Sequence, residues 1–517
     1  MALQLPLELV DQIAQYRRRD ARSYLAQYAL VCRNWQAAFE PYIYDQLCVH
    51  SEDYLTGKGI ITLAHFQSLT STTHHAIARR KMVREIIYRV ILPFDLPDYK
   101  SIVTRARGPT YKLDNAVRIA NDDTFKAGVL NLFNILTSWG AECRLTLCLR
   151  TIGRDEDVIE PGTERVSSAS DYYDYARGKW AVRPYRAQFP KSIGVGQQQQ
   201  HPQLPSALCV GSLEFEGPYF MGDRIHRYEK PVWPEAACCI AQACPAFSHF
   251  RWEAEDDIRP DHLDYMQQRR ESFANGLLRL PSTLRKFEFL QTPEPVFHQS
   301  FSAPLLAPSA IDLFSTNLRI ISVRLEKLLL CAVPLANDFL CPLDSHGEPR
   351  GECMVWPNLK ELEIQRGNFL PEGVWLLDPT SDTEDAGIDD LDDSASDYTE
   401  QLEDFMANDF FCYRAVLKTE LCHLANISLG YAARCMPRLE SIDFYFTFMP
   451  DTFFAFEREE AGEGNVATLM WKGKCGYRPD ERVARAWGFK LGEVNSETEV
   501  EEDERHVHNV MISNWSG

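Results

Sequence analysis

An α/β fold is predicted for this chain: a short helical module, then a long body of strand–helix units. Three observations predict it. The first fifty residues carry apolar positions at helical spacing. The body repeats one short apolar motif, mostly every 34 to 41 residues. Helical patterns lie between successive copies of that motif, so strand and helix alternate.

Bulk properties bound the function classes. The chain has 517 residues, 45% of them hydrophobic, and a net charge of −20. That length accommodates about three domains or one long repeat array. The acidic balance argues against a nucleic-acid partner, which needs a clustered basic stripe. No membrane partner is expected: the best apolar run, Leu328–Leu343, is 16 residues long and carries Asn337 and Asp338, against about 20 apolar residues for a span. Glu8 and Asp11 interrupt the first apolar stretch, so a signal peptide is not expected either. Fifteen cysteines without a CxxC, the densest group being "CCIAQAC" at Cys238–Cys244, read as reduced, buried thiols rather than zinc ligands or disulfides.

In the first fifty residues, "LPLELVDQIAQY" places Leu7, Val10, Ile13 and Ala14 on one helical face. Pro6 suits the first helical turn, where its missing N–H costs nothing. Leu25, Tyr28, Cys32, Trp35 and Phe39 then follow a 3,4,3,4 spacing that predicts a second amphipathic helix, ending at Pro41. Two such helices bury too little to stand alone. Their surplus apolar residues must meet the rest of the chain or another protein.

The order "LPLELVDQI", "LVCRNW" and an aromatic tail, over roughly residues 3–48, resembles an F-box. Leu5 and Pro6 match the family's opening Leu-Pro, Leu9 and Ile13 its first apolar ridge, and "LVCRNW" its Val-Ser/Cys-Lys/Arg-x-Trp signature. The linker "YRRRDARSY" is a few residues longer than is usual there. The resemblance implies docking on a Skp-type adaptor of a cullin–RING ubiquitin ligase through Leu5, Pro6, Leu7, Leu9, Val10, Ile13, Val31, Cys32 and Trp35. The alternative is an unrelated helical start that packs on its own body.

The body, residues 51–517, repeats apolar-x-x-apolar-x-apolar. The copies are Val210/Leu213/Phe215, Phe247/Phe250/Trp252, Leu284/Phe287/Phe289, Leu318/Ile321/Val323, Leu359/Leu362/Ile364 and Leu439/Ile442/Phe444. Their first positions are 37, 37, 34, 41 and 80 residues apart, the last gap being about double. Val83/Ile86/Tyr88 and Leu145/Leu147/Leu149 are expected to be earlier strands of the same array. Units that cannot bury their own apolar face stack on neighbours. The pattern resembles a leucine-rich-repeat protein with long, irregular units, and so implies a curved solenoid. The alternative is a non-repetitive α/β domain. The stretch Arg269–Phe287 also resembles part of the body of fungal F-box proteins, which implies a fold and no activity.

Residues 154–206, with "SIGVGQQQQHPQLPS", and 378–404, with twelve acidic residues and no Lys or Arg, are expected to be disordered insertions, and 493–517 an acidic tail. On the solenoid strands, the residues between the apolar positions should line a target-binding face. They include Arg251, Glu288, Glu363 and Asp443, more acid than base, which predicts a protein target with a basic patch.

No GxSxG elbow, P-loop or HExxH occurs. Asp261, His262 and Asp264 could hold a metal but read more simply as a solvated loop. Neither cofactor nor metal is expected, and no catalytic residue is assigned. The resemblance implies a non-catalytic substrate receptor of a Skp–cullin–F-box ubiquitin ligase, cytoplasmic or nuclear, holding the adaptor at one end and an unknown protein substrate at the other. Two other readings stay open: an F-box scaffold without a role in ubiquitination, and an enzyme with a cryptic site.

Overall fold

The computed structural model describes residues 5–18, 25–53, 60–71, 73–94, 116–154, 173–174, 179–180, 185–190, 203–215, 229–254, 263–291, 302–309, 311–379, 414–446, 449–461, 464–473, 477–500, 504–513 and 515. The fold is mixed α/β, with a large, mostly parallel sheet and 11 helices among the described residues. It divides into two compact units: Met1–Pro97, Tyr111–Glu164 and Tyr185–Trp252 form the first, and Asp98–Thr110, Arg165–Pro184 and Glu253–Gly517 the second. The division expected at residue 50 does not coincide with this one. The N-terminal helices belong to the first unit, where Glu40 pairs with Arg79 at 3.4 Å and the Arg79 guanidinium lies over the Tyr44 ring.

The first unit begins with α1 (Leu7–Arg18), α2 (Leu25–Ala29) and α3 (Arg33–Tyr44). Its strands are β1 (Gln46–His50), β2 (Ile60–Thr62), β3 (Glu85–Leu92), β4 (Leu145–Gly153), β5 (Val210–Phe215) and β6 (His249–Ala254). They run parallel in the order β2-β1-β3-β4-β5-β6. The helices α4 (Leu63–Leu69), α5 (His74–Arg80), α6 (Ala116–Leu136) and α7 (Pro234–Gln242) return the chain between strands. Such crossovers are what parallel pairing requires. Helix α6 lies close on β3: the Tyr88 hydroxyl donates to the Gly128 carbonyl at 2.8 Å, and a Cβ at Gly128 would fall 2.9 Å from Val90. The motif residues Ile86, Tyr88, Leu147, Leu213, Phe250 and Trp252 are buried as expected from period-two alternation.

In the second unit β7 (Lys286–Gln291), β8 (Lys327–Val333), β9 (Glu361–Arg366) and β10 (Ser441–Phe446) are parallel neighbours in sequence order. Phe287, Leu328, Leu362 and Ile442 align across them, all buried. Helix α8 (Leu263–Leu277) leads into β7, α9 (Leu313–Ser322) joins β7 to β8, and α10 (Thr419–Ala433) lies between β9 and β10. Phe273 of α8 meets Phe287, Phe289 and Phe314 with centroids 5.1–6.4 Å away. The parallel pattern then stops. β11 (Met449–Ala461), β12 (Gly464–Gly473), β13 (Asn495–Val500) and β14 (Glu504–Ser513) continue antiparallel in the order β10-β11-β12-β14-β13. Helix α11 (Glu481–Trp487) packs on α10, where a Cβ at Gly430 would sit 2.7 Å from the Trp487 ring.

Four expectations need correction. Leu318, Ile321 and Val323 are not strand residues. Leu318 and Ile321 lie in α9, capped by Asp312, whose side chain accepts from the Ser315 N–H, and Val323 directly follows it. The strand copy is Leu325/Leu328/Leu330, seven residues later, which fits the same template. A spacing of three also occurs on a helix face, so the template alone could not choose. The second N-terminal helix breaks at Leu30–Cys32, where Leu30 and Val31 N–H groups turn back to carbonyls three residues earlier. Pro41 lies inside α3 rather than ending it. The region expected as an acidic tail holds β13 and β14, two paired strands.

The two expected insertions lie mostly outside the described residues. Within the first, Tyr185, Ala187 and Phe189 are buried. At the edge of the second, Leu377–Pro379 pairs with Arg414–Leu417, and Asp378 meets Lys418 at 3.1 Å.

Candidate partner-binding surfaces

The three N-terminal helices close a small core of their own. Val10, Ala14, Leu25, Ala38 and Phe39 are buried there, with Ile13, Tyr28, Trp35, Tyr42 and Ile43 packed around them. The break at Leu30–Cys32 brings three rings together. Trp35 stacks parallel on Phe39 at 5.5 Å, and Tyr28 lies 5.1 Å from Phe39 and 5.9 Å from Trp35. Aromatic pairs at such distances add to the stabilisation from area alone. The Pro6 carbonyl starts α1 by accepting from the Leu9 and Val10 N–H groups.

The nine residues expected to meet an adaptor split into two groups. Val10 is core, and Ile13 and Trp35 pack against that core. Leu5, Pro6, Leu7, Leu9, Val31 and Cys32 are exposed. Leu7 is 48% exposed, and Leu30, which was not singled out from the sequence as a contact residue, 86%. Burying such a side chain is worth roughly 1.5–3 kcal/mol, so this group forgoes stabilisation within the described fold.

The second candidate surface is the sheet face opposite the buried one. On the second unit, Glu288, Leu329, Glu363 and Asp443 align across β7–β10. The adjoining row is Lys286, Lys327, Glu361, Ser441 and Glu457. Lys327 pairs with Glu361 at 2.8 Å, and Tyr445 donates to Glu363 at 3.1 Å. Three of the four residues expected on a target-binding face are thus together. The fourth, Arg251, belongs to the first unit and aligns with Glu214. Parallel sheets ordinarily have both faces covered, whereas this row of acids is half-buried to exposed.

The first unit carries a different row, unnoticed in the sequence: His50, Arg89 and Arg150 align on β1, β3 and β4. His50 is buried, neither of its ring nitrogens has a hydrogen-bond partner, and burial with the Arg89 charge brings its pKa down to about 4. Only strand register, not any local motif, brings these three together.

Chemistry-bearing groups also meet beside α10. The His423 ring nitrogen Nδ1 lies 3.0 Å from the Tyr477 hydroxyl, and Arg482 bridges Asp480 and Glu420 at 2.6–2.7 Å. Burial lowers the His423 pKa, leaving a neutral ring at neutral pH, although Asp480 pulls the other way. The cavity nearby, lined by Cys422, Asn426, Trp471, Lys472 and Tyr477 among others, is about 20 Å³, room for one water. Among the described residues no group of three His, Cys, Asp or Glu has a metal-holding arrangement, and no helix is long and apolar enough to cross a membrane. His74 and His75 are neighbours on α5, with rings 6.0 Å apart. Asp261 and His262 lie outside the described residues. No protein-family model, no curated protein and no solved structure matches the chain.

Proposed function

We propose that the chain is a non-catalytic substrate receptor of a Skp–cullin–F-box ubiquitin ligase. The observation that carries this reading is the split in the N-terminal helices: a closed aromatic core beside exposed Leu5, Leu7, Leu9, Leu30 and Val31. A module that folds on one face and offers leucines on another is suited to helix–helix docking with a Skp-type adaptor. The strand–helix units of the body are read as an irregular leucine-rich-repeat solenoid, supported by parallel strands that follow sequence order across β7–β10. Its acidic strand face would hold a basic segment of the target. In this reading catalysis is proximity: the receptor raises the effective concentration of target lysines near the conjugating enzyme. The working place is then cytoplasmic or nuclear.

The test is capture of purified adaptor by the wild-type full chain and by a full chain carrying Leu7→Ser and Leu9→Ser. Capture that depends on those residues supports the proposal, and equal capture or none overturns it. A scaffold without ubiquitination differs in one readout. Target half-life lengthens in that variant if the protein is a receptor, and stays the same if it is a scaffold.

A further inference from the structure

Between β8 and β9 the chain makes a hairpin-like excursion whose base is flanked by two cysteines. Leu343 and Pro349 form an antiparallel bridge, Arg350 N–H donates to the Pro342 carbonyl at 2.8 Å, and Gly347 takes φ +79° at the tip. The excursion is tied to neighbouring helices. Cys341 N–H donates to the Ser428 hydroxyl at 2.9 Å, and Glu348 meets both the Tyr431 hydroxyl at 2.9 Å and Arg485 at 3.0 Å. These anchors bring the Cys341 and Cys353 sulfurs to 2.7 Å from one another. A third thiol, Cys435, lies just after α10, near enough to Cys353 for that thiol to help raise its pKa, after burial. Cys341 is buried, whereas Cys353 and Cys435 are half-buried.

We propose that Cys341 and Cys353 form a reversible disulfide that closes this excursion under oxidising conditions. A disulfide has an S–S distance of about 2.05 Å, so the bond asks for less than an ångström of movement. The anchors already hold the ends, and little chain entropy is left to lose. The oxidant is a low-molecular-weight disulfide such as oxidised glutathione. The more open Cys353, as thiolate, attacks one sulfur of that disulfide. A mixed disulfide forms and one glutathione thiolate leaves. The Cys341 sulfur, losing its proton, attacks the Cys353 sulfur and displaces the second glutathione. Two protein thiols have lost two electrons and two protons, and one glutathione disulfide has become two thiols. Burial pushes the Cys341 thiol up, which disfavours its thiolate in the second step. Reduced glutathione reverses both.

The tryptic map suits the test. Cleavage after Lys327, Arg350, Lys360, Arg434 and Arg438 puts Cys341 in residues 328–350, Cys353 in 351–360 and Cys435 in 435–438. The full-length protein is incubated in oxidised glutathione, digested without reductant and examined by mass spectrometry. The expected product is 328–350 joined to 351–360, two hydrogens lighter than the sum. It should persist in Cys331→Ser, which removes the other thiol of that peptide, and in Cys435→Ser. It should vanish in Cys353→Ser. A dominant 351–360 to 435–438 product overturns the pairing. Absence of both, while the exposed Cys32 is glutathionylated in the same sample, overturns the proposal outright.

Discussion

The N-terminal helices and the strand face of the second unit are both incompletely covered, but they lack cover in different currencies. The helices expose leucines beside a finished core. The strand face exposes Glu288, Glu361, Glu363 and Asp443 with Lys286 and Lys327 among them. Water solvates the second surface well and the first poorly. An exposed leucine cluster therefore says more about a partner than an exposed carboxylate row does. It also separates two roles that the sequence ran together: residues that build a module and residues that the module presents.

Truncating the core should have the largest effect. Phe39→Ala removes a buried ring stacked on Trp35, and losses of about 3–5 kcal/mol attend such changes. Hydrogen exchange over residues 5–50 should accelerate accordingly. Protection equal to wild type would mean that these helices are held by something other than their own core.

A buried carboxyl gives the next effect, and a pH signature. Burial raises the Asp122 pKa to about 7, against hydrogen bonds from Tyr185 and Gln188 that lower it. The folded state therefore holds a proton that the unfolded state has released between about pH 4 and 7. Stability from this group is full below pH 4 and declines as pH rises through 7. Asp122→Asn removes that decline. The variant should gain on wild type by about 2–4 kcal/mol between pH 4 and 8, taking about 1.4 kcal/mol per pKa unit as the ceiling. A gap that stays constant across that range in denaturant titrations would refute the assignment.

Changing the presented residues should leave the fold intact. Leu7→Ser with Leu9→Ser is expected to shift stability by no more than about 0.5 kcal/mol per site, as surface changes do. Adaptor affinity should fall thirtyfold or more, equivalent to about 2 kcal/mol. Loss of both stability and binding would erase the distinction drawn between core and ridge.

The acidic face should show the smallest effect. Glu288→Gln, Glu363→Gln and Asp443→Asn together are expected to change thermal stability little. They should flatten the salt dependence of binding to a basic target between about 50 and 300 mM, since screening shortens to under 10 Å over that range. An unchanged salt slope would leave these carboxylates as solvation alone.

Sequence reading found α1 and the strands β3–β7, β9 and β10 because burial on one face imposes a period. Val10, Ile13 and Ala14 mark α1, and Phe287/Phe289, Leu362/Ile364 and Ile442/Phe444 mark strands, whatever lies next to them. It misplaced β8 because "TNLRIISV" and "RLEKLLL" both satisfy the motif's spacing. The Asp312 cap and the pairing of Leu328 with Phe287 and Leu362 distinguish them. It could not foresee that the parallel order gives way to antiparallel strands after Phe446, since alternation is the same in both. Nor could it tell the buried Val10 from the exposed Leu7 on the same helical face, or align Glu363 with Asp443, or bring Cys341 to Cys353 across twelve residues. Periodicity is a property of each segment and is written locally. Which face is covered, and which strand is neighbour to which, depends on chain segments far apart in sequence, and tertiary packing alone decides it.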